Sequence, residues 1–356
     1  MSRRPTLTTP LTKMLGIATP VLLAGMNGVS HCDLASAVTN GGGLGVIGGL
    51  TMTPKVLREE IRELKEGLTD PNGKFGVDLA IPQVGGNARK TNHDYTHGHL
   101  PELIDIIVEE KAALFVCAVG IPPQWAVDKL HAGGVLVMNM VGHPQHVLKA
   151  INAGVDLICA QGTEGGGHTG DVATMPLIPQ AVDLCKGHFS PYTGEPIRVV
   201  AAGGIFDGRG VAAALSLGAV GVWIGTRFIC AEESAAGPKH QNAVLKAQST
   251  ETVRTLIYSG RPLRVYGSPY IMNWNNERAD EIKKLCDQGI IPAIHDMQES
   301  KKRGEQMDIL EWSPDLMGQA AGAVHEILPA AKIIEDMMTD AAAILTQNAT
   351  CVTSRL

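Results

Sequence analysis

The sequence predicts an α/β chain folded as a (β/α)8 TIM barrel, with a mostly helical lid inserted between the eighth strand and the last helix. Three observations carry this expectation. Short β-rich runs alternate with helix-sized crossovers eight times, the runs are apolar enough to be buried on both faces, and glycines cluster where the runs end. Repeated βα units demand parallel neighbours, and eight of them in about 210 residues favour closure into a barrel. An open doubly wound sheet is the competing arrangement.

The elements follow in order. Residues 21–26 supply the first strand, 31–40 the first crossover and 44–50 the second strand. Thr53 or Pro54 opens the next helix, where Val56, Leu57, Ile61 and Leu64 recur at helical spacing among Arg and Glu. Residues 75–81 form the third strand, followed by a polar loop holding His93, His97 and His99 and a helix near 101–110. Strand 113–120, helix 123–131, strand 135–140, helix 144–152 and strand 156–160 continue the alternation. Helix 177–186, strand 198–202, helix 208–217 and strand 221–228 complete it.

Beyond residue 232 the alternation stops. Residues 236–318 hold helical pieces at 242–247 and 278–287, the run Gly260–Arg261–Pro262–Leu263–Arg264, and the aromatics Tyr266, Tyr270 and Trp274. These aromatics suit either a pocket lining or a small core of the segment itself. Residues 319–340 then read as one amphipathic helix with Val324, Ile327, Leu328, Ile333, Ile334 and Met337 as its apolar stripe. Taken as the eighth barrel helix, it makes 15–235 plus 319–345 the barrel, 236–318 an inserted lid and 346–356 a C-terminal tail. Loops after barrel strands form the active face, so a lid at this point lies over the site. A separate C-terminal helical domain is the alternative.

Composition narrows the function. The 356 residues are 44% hydrophobic and 19% charged, which describes a globular chain with material for a sizeable core. Net charge is −6, without a Lys/Arg block, so nucleic acid is not an expected partner. Seven widely spaced cysteines fit reduced thiols, with Cys117 and Cys159 packing as small hydrophobes in strands. No metal is expected, because the histidines at 93, 97 and 99 lack a companion Cys or carboxylate pattern and read as a solvated loop. No apolar run approaches the roughly 18 residues a membrane span needs. Ser354–Arg355–Leu356 is a variant of the Ser-Lys-Leu address, so peroxisome or cytoplasm is the expected location, with an import receptor as partner where that tripeptide is read.

The densest chemical signal is the stretch from Ala160 to Gly170, where an apolar strand ends in a glycine-rich loop around His168. Such a loop lets the backbone approach a flat or phosphorylated ligand while one titratable ring is held over it, making His168 the candidate acid or base. Three further glycine features end strands: Ala24–Gly25–Met26, Ala202–Gly203–Gly204–Ile205 and Gly225–Thr226–Arg227–Phe228. The last two end strands seven and eight, whose loops often bind phosphate in barrels. Asn139 and His143 either reach the site or cap a helix. No GxGxxG opens a first βαβ unit, so flavin mononucleotide (FMN) suits the pattern better than a dinucleotide.

Together with Gly76–Val77–Asp78–Leu79, the run from Gln161 to His168, Gly260–Arg261–Pro262 and Gly318–Gln319–Ala320–Ala321–Gly322, these motifs resemble the nitronate monooxygenase family, formerly called 2-nitropropane dioxygenases. The resemblance runs from about residue 15 to the last helix. It implies an FMN-dependent barrel that oxidises alkyl nitronates, and in some cases nitroalkanes, with O2 to a carbonyl compound and nitrite. It also implies His168 as the active-site histidine and Ala24, Gly25, Met26, Asp78, Gln161, Gly166, Gly167, Gly203, Gly204, Gly225 and Thr226 as cofactor contacts. Relatives often carry Asn where this chain has Asp78, and a carboxyl there is either kept neutral or accepts from a ring N–H. His168 is expected to act as base for neutral nitroalkanes, and as donor or cation towards nitronates. The rival readings are an NAD(P)H-dependent enoyl-thioester reductase of the same superfamily and a non-catalytic flavin-binding protein.

Overall fold

Eight parallel strands and their crossovers account for most of the computed structural model, which describes residues 7–305 and 308–352. The strands are β1 (Val21–Leu23), β2 (Gly45–Gly48), β3 (Phe75–Ile81), β4 (Leu114–Gly120), β5 (Leu136–Val141), β6 (Leu157–Gln161), then, after the two-residue strand β7 (Gly167–His168) of a different sheet, β8 (Arg198–Ala202) and β9 (Gly221–Ile224). They hydrogen-bond in the order β1-β9-β8-β6-β5-β4-β3-β2. A bridge between Leu22 and Leu44 joins the two ends, with Leu23 N donating to Leu44 O and Leu44 N to Val21 O, each at 2.9 Å. The sheet is therefore a barrel rather than an open sheet.

The pleat sorts the side chains into two populations. Leu22, Val46, Val116, Met138, Cys159 and Trp223 point inward and fill the barrel, while Leu23, Ile47, Phe115, Val137, Ile158 and Val222 point outward against the helices. A short helix, Pro10–Leu15, closes the lower mouth with Leu11 and Leu15, its first turn capped by Thr9. The interior is thus packed from below and open only at the strand C-termini. Cys117 and Cys159 are buried, as expected of small hydrophobes.

Strands β3 and β8 occupy the predicted residues. The eighth barrel strand is shorter than predicted, since Gly225 turns the chain and Thr226–Ile229 coils into a single helical turn. The segment after it is mostly helical, with Pro238–Lys246, Pro269–Glu277, Ala279–Asp287 and Pro292–Lys302. It also contains an unexpected hairpin, β10 (Thr252–Thr255) and β11 (Leu263–Tyr266). β11 pairs in turn with β7, Leu263 opposite His168 and Arg264 opposite Gly167. Trp274 and Tyr270 belong to this segment's own cluster with Ile257, Val265, Ile271 and Leu285, while Tyr266 packs against the main core.

Residues 319–340 are not one helix. Gln319–Ala323 is a 3-10 turn, the chain is extended at Val324, and the long helix is Ala330–Ala349, running past the expected boundary at 345. Pro329 explains the break: it cannot donate within a helix and forces the residue before it out of the helical region. Ile333, Ile334 and Met337 keep their buried stripe, whereas Ile327 is exposed. The helix packs against Gly208–Ser216 and Cys32–Asn40, closing the outer ring. Its approach is close enough that a Cβ on Gly208 would meet Met337 O at 2.7 Å. At the base of the insertion Leu328 bridges to Ala231. No described helix is long and apolar enough to cross a membrane. Ser354–Arg355–Leu356 lies outside the described residues.

At the lower face, fully buried Asp156 accepts from Val137 N, from the Ser190 hydroxyl and from His131 Nε2 at 3.0 Å, tying β5, the start of β6 and the 188–196 loop together. Removing it orphans several buried donors at once. Asp156→Ala should lower the unfolding free energy by about 3 kcal/mol in urea denaturation. A loss below about 1 kcal/mol would show that water replaces the carboxylate without penalty.

Candidate active site

The loops that leave the strand C-termini surround a cavity of about 470 Å³, within the range of small-molecule sites. Ala24, Gly25, Met26, Asp78, Gln161, Gly166, Gly167, His168, Gly203, Gly204, Gly225 and Thr226 all line it. The structure therefore brings together every residue that the sequence singled out for the site, from five different strand ends.

Steric demands explain the small residues. Gly25 lies so close to Asp78 that a Cβ would run into its carboxyl group. Gly203 and Gly204 have φ of 93° and 73°, a left-handed pair that turns the chain after β8 and leaves bare backbone facing the cavity. On the opposite wall, Gln161 Nε2 donates to His168 O at 2.8 Å, so the strand that launches the glycine loop also pins its far end. The Glu164 carboxylate accepts from Thr174 N and Oγ1. Its backbone carbonyl accepts from Gln319 N, and Gly318 N donates to Thr226 Oγ1 at 2.9 Å. The strap that returns from the insertion thus clamps the glycine loop to the turn after β9.

Three titratable groups that line this cavity have shifted protonation, and burial lowers the pKa of one of them, His240. Burial, aided by the Arg261 charge, lowers the His168 pKa to about 4, so the ring is neutral at neutral pH. Its Nε2 is 2.9 Å from Ser259 Oγ in the insertion. At a pKa of about 4 a neutral donor or acceptor is favoured over a cation, and a ring this weakly basic is a poor proton abstractor. Asp78 is buried, its Oδ1 has no hydrogen-bond partner among the described residues, and burial raises its pKa well above the usual carboxyl range. Burial thus favours its neutral form, which can both donate and accept. In that respect it matches the Asn that the resemblance led us to expect.

Several lining residues were not legible beforehand. His240, Leu316 and Met317 reach the cavity from the insertion, and His240 Nε2 donates to Leu316 O at 2.8 Å. Ser259 was missed although it directly precedes the Gly260–Arg261–Pro262 motif. Asn139 and His143 border a second hollow of about 930 Å³ that shares Met140, Gln161 and His168 with the first. His143 also performs the capping role, its Nδ1 accepting from Gln145 N at 3.1 Å.

The family assignment rests on the length of the match. The nitronate monooxygenase profile matches residues 8–340. The chain belongs to that family. Among its relatives is a protein described as "Probable nitronate monooxygenase" from Staphylococcus saprophyticus, 30% identical, covering 78% of this chain and 83% of that protein. Another is "(3aS,4S,5R,7aS)-5-hydroxy-7a-methyl-1-oxo-octahydro-1H-indene-4-carboxyl-CoA dehydrogenase" of Mycobacterium tuberculosis, 37% identical over 73% of this chain and 66% of that protein. Among solved structures, FabK from Thermotoga maritima superposes with a TM-score of 0.78 at 29% identity, covering 98% of this chain and all of that one. As a member of the nitronate monooxygenase family, the chain is an oxidoreductase.

The cavity fits the flavin that the resemblance implies. A flat ring needs a wall without side chains, which the glycine loop provides, and a polar edge, for which the unpartnered Asp78 Oδ1 is placed. A phosphate needs bare backbone amides, which the turns at Gly203–Gly204 and Gly225–Thr226 present.

The His168 shift has a measurable consequence. The unfolded imidazole protonates near its ordinary value of 6.5 and the folded one near 4, so the unfolded chain binds more protons between these limits. Stability contributed by the neutral ring is complete above 6.5 and is lost as pH falls towards 4. Replacing His168 with Asn should flatten the decline of the thermal midpoint between pH 7 and pH 4.5; parallel declines in both proteins would show that the ring is not held neutral.

Proposed function

We propose that this chain is an FMN-dependent enzyme that oxidises alkyl nitronates with O2 to a carbonyl compound and nitrite. The observation that supports this reading is the burial of His168 and Asp78 at the glycine-loop end of the cavity, which favours the neutral form of each, while the charges elsewhere on the wall, Lys239 and Asp315, pair with one another. With His168 a weak base and burial favouring the protonated form of Asp78, neither is suited to abstract a proton, so a substrate that arrives as a carbanion equivalent fits best, and a nitronate does. When bound, FMN would supply the electron-pair acceptor that O2 can reoxidise. Ala24, Gly25, Met26, Gln161, Gly166 and Gly167 would hold its ring, Asp78 would donate to or accept from the ring's polar edge, and Gly203, Gly204, Gly225 and Thr226 would hold its phosphate.

The neutral His168 ring would orient the nitro group by hydrogen bonding, with Ser259 fixing the ring through Nε2. Residues 236–318 would serve as the lid that excludes water above it. A second reading, oxidoreduction of an acyl thioester, is favoured by the name of the M. tuberculosis relative. A thioester enolate shares with a nitronate its planar carbon and its charge on oxygen.

Anaerobic addition of a small alkyl nitronate should bleach the flavin absorbance of the purified protein. The neutral nitroalkane should do so at least about 100-fold more slowly, the usual worth of a positioned base. A flavin spectrum unchanged by nitronate would remove the first reading and leave the second. Equal rates for the two substrate forms would show that a base is present after all. The rate with nitronate should be flat between pH 5.5 and 7, since His168 does not titrate there; a break near 6.5 would contradict the neutral ring.

A further inference from the structure

The second hollow is lined by an unusual charge distribution for a chain of net charge −6. Arg89, Lys149, Arg254 and Arg261 line it together with His143 and His146, and the sole carboxylate in its wall is Asp171, which pairs with Arg254. Arg89, Lys149 and Arg261 make no ion pair among the described residues. Arg89 Nη1 donates to Gly260 O at 3.3 Å and Arg261 Nε to Asn92 Oδ1 at 3.1 Å, so two like charges are held near one another by neutral partners alone. Partial burial and, after it, the Arg89 charge depress the Arg261 pKa.

Polar atoms without partners point the same way. Among the described residues Asn139 Oδ1, Thr169 Oγ1 and Arg254 Nε are buried at this wall with nothing to hydrogen-bond, and Asn139 is only 1% exposed. Buried polar groups are ordinarily paired, so an unpaired set around a cation-lined hollow is that of a binding site. Because the hollow meets the reaction cavity at His168, Gln161 and Met140, its occupant is continuous with whatever reacts there. A small alkyl nitronate uses none of it.

We propose that this groove seats the phosphorylated nucleotide tail of a substrate whose reacting head lies beside His168. The inference rests on the second of the two readings above, with the cavity at His168 as the reaction site, and it names the substrate class for that reading. Several phosphates would neutralise Arg89, Lys149 and Arg261, and the tail's polar linker would meet Asn139 and Thr169. Two molecules share this chemistry: an acyl thioester of coenzyme A and a reduced nicotinamide dinucleotide phosphate.

Calorimetric titration of the flavin-loaded protein with coenzyme A and, separately, with NADPH tests the groove without turnover. At least one should bind with a Kd that rises tenfold or more in Arg89→Ala/Lys149→Ala and in the single charge reversal Lys149→Glu, and that rises with added salt. Lys186→Ala, on the far end of another helix, should leave it unchanged. A response confined to coenzyme A assigns a thioester, and one confined to NADPH assigns the nicotinamide; both responding assigns the shared tail. No binding of either below about 1 mM, or equal Kd in the Arg89/Lys149 variants and wild type, overturns the proposal. As no electron transfer is read, failure of the nitronate to bleach flavin would sink the reaction and leave the groove standing.

Discussion

A two-residue antiparallel pairing, Gly167–His168 against Leu263–Arg264, sets the geometry of everything above the barrel. Without it the glycine loop would have no fixed register, and a loop so poor in side chains cannot fix itself. Arg264 reinforces the pairing from within. It is buried, and its Nε donates to Thr163 O at 2.9 Å while Nη1 donates to Thr252 O at 2.9 Å. A guanidinium taken out of water is costly, and it is retained here because these carbonyls satisfy it across three segments at once. The ring of His168 inherits its position, its contact with Ser259 and its neutrality from this arrangement.

The lower and upper halves of the barrel are built on opposite principles. Below, Leu11 and Leu15 plug the mouth and the Asp156 cluster satisfies every polar group in sight, which is how a region devoted to stability looks. Above, side chains are pruned away, Asp78 Oδ1 is left without a partner, and His168 is held in the less hydrated of its two protonation states. Unsatisfied groups cost stability, and their concentration at one end marks where a ligand completes the structure.

Sequence reasoning recovered the barrel because steric rules act locally. β3 and β8 matched to the residue, since long apolar runs bounded by turn-forming residues admit one reading. The site glycines were legible for a related reason: a Cβ at Gly25 or a right-handed turn at Gly203 is excluded wherever the loop meets its neighbour. What escaped was set by distance along the chain. The hairpin was hidden because each arm is four residues long and carries an arginine. The helix at 319–340 was overdrawn because apolar periodicity continued across Pro329, and proline should have outweighed it. Ser259 meets His168 across 91 residues, and the cations of the second hollow come from a helix, a strand and two loops far apart in the chain, so no window of sequence could assemble either.

The bridge between Ala231 and Leu328, with Glu232 N donating to Leu328 O at 3.1 Å and Leu328 N to Cys230 O at 3.3 Å, brings the two ends of the insertion together. Nearly a hundred residues leave the barrel wall and return to the point of departure. In a chain built this way, the stretch that carries the site and the stretch that roofs it part and rejoin at one place, while Leu263, Arg264 and Ser259 reach back across to the glycine loop. Exchange of the roof for another segment that ends at the same place would leave the strands of the barrel paired, but the newcomer would have to supply its own edge to Gly167–His168 or the loop would lose its register.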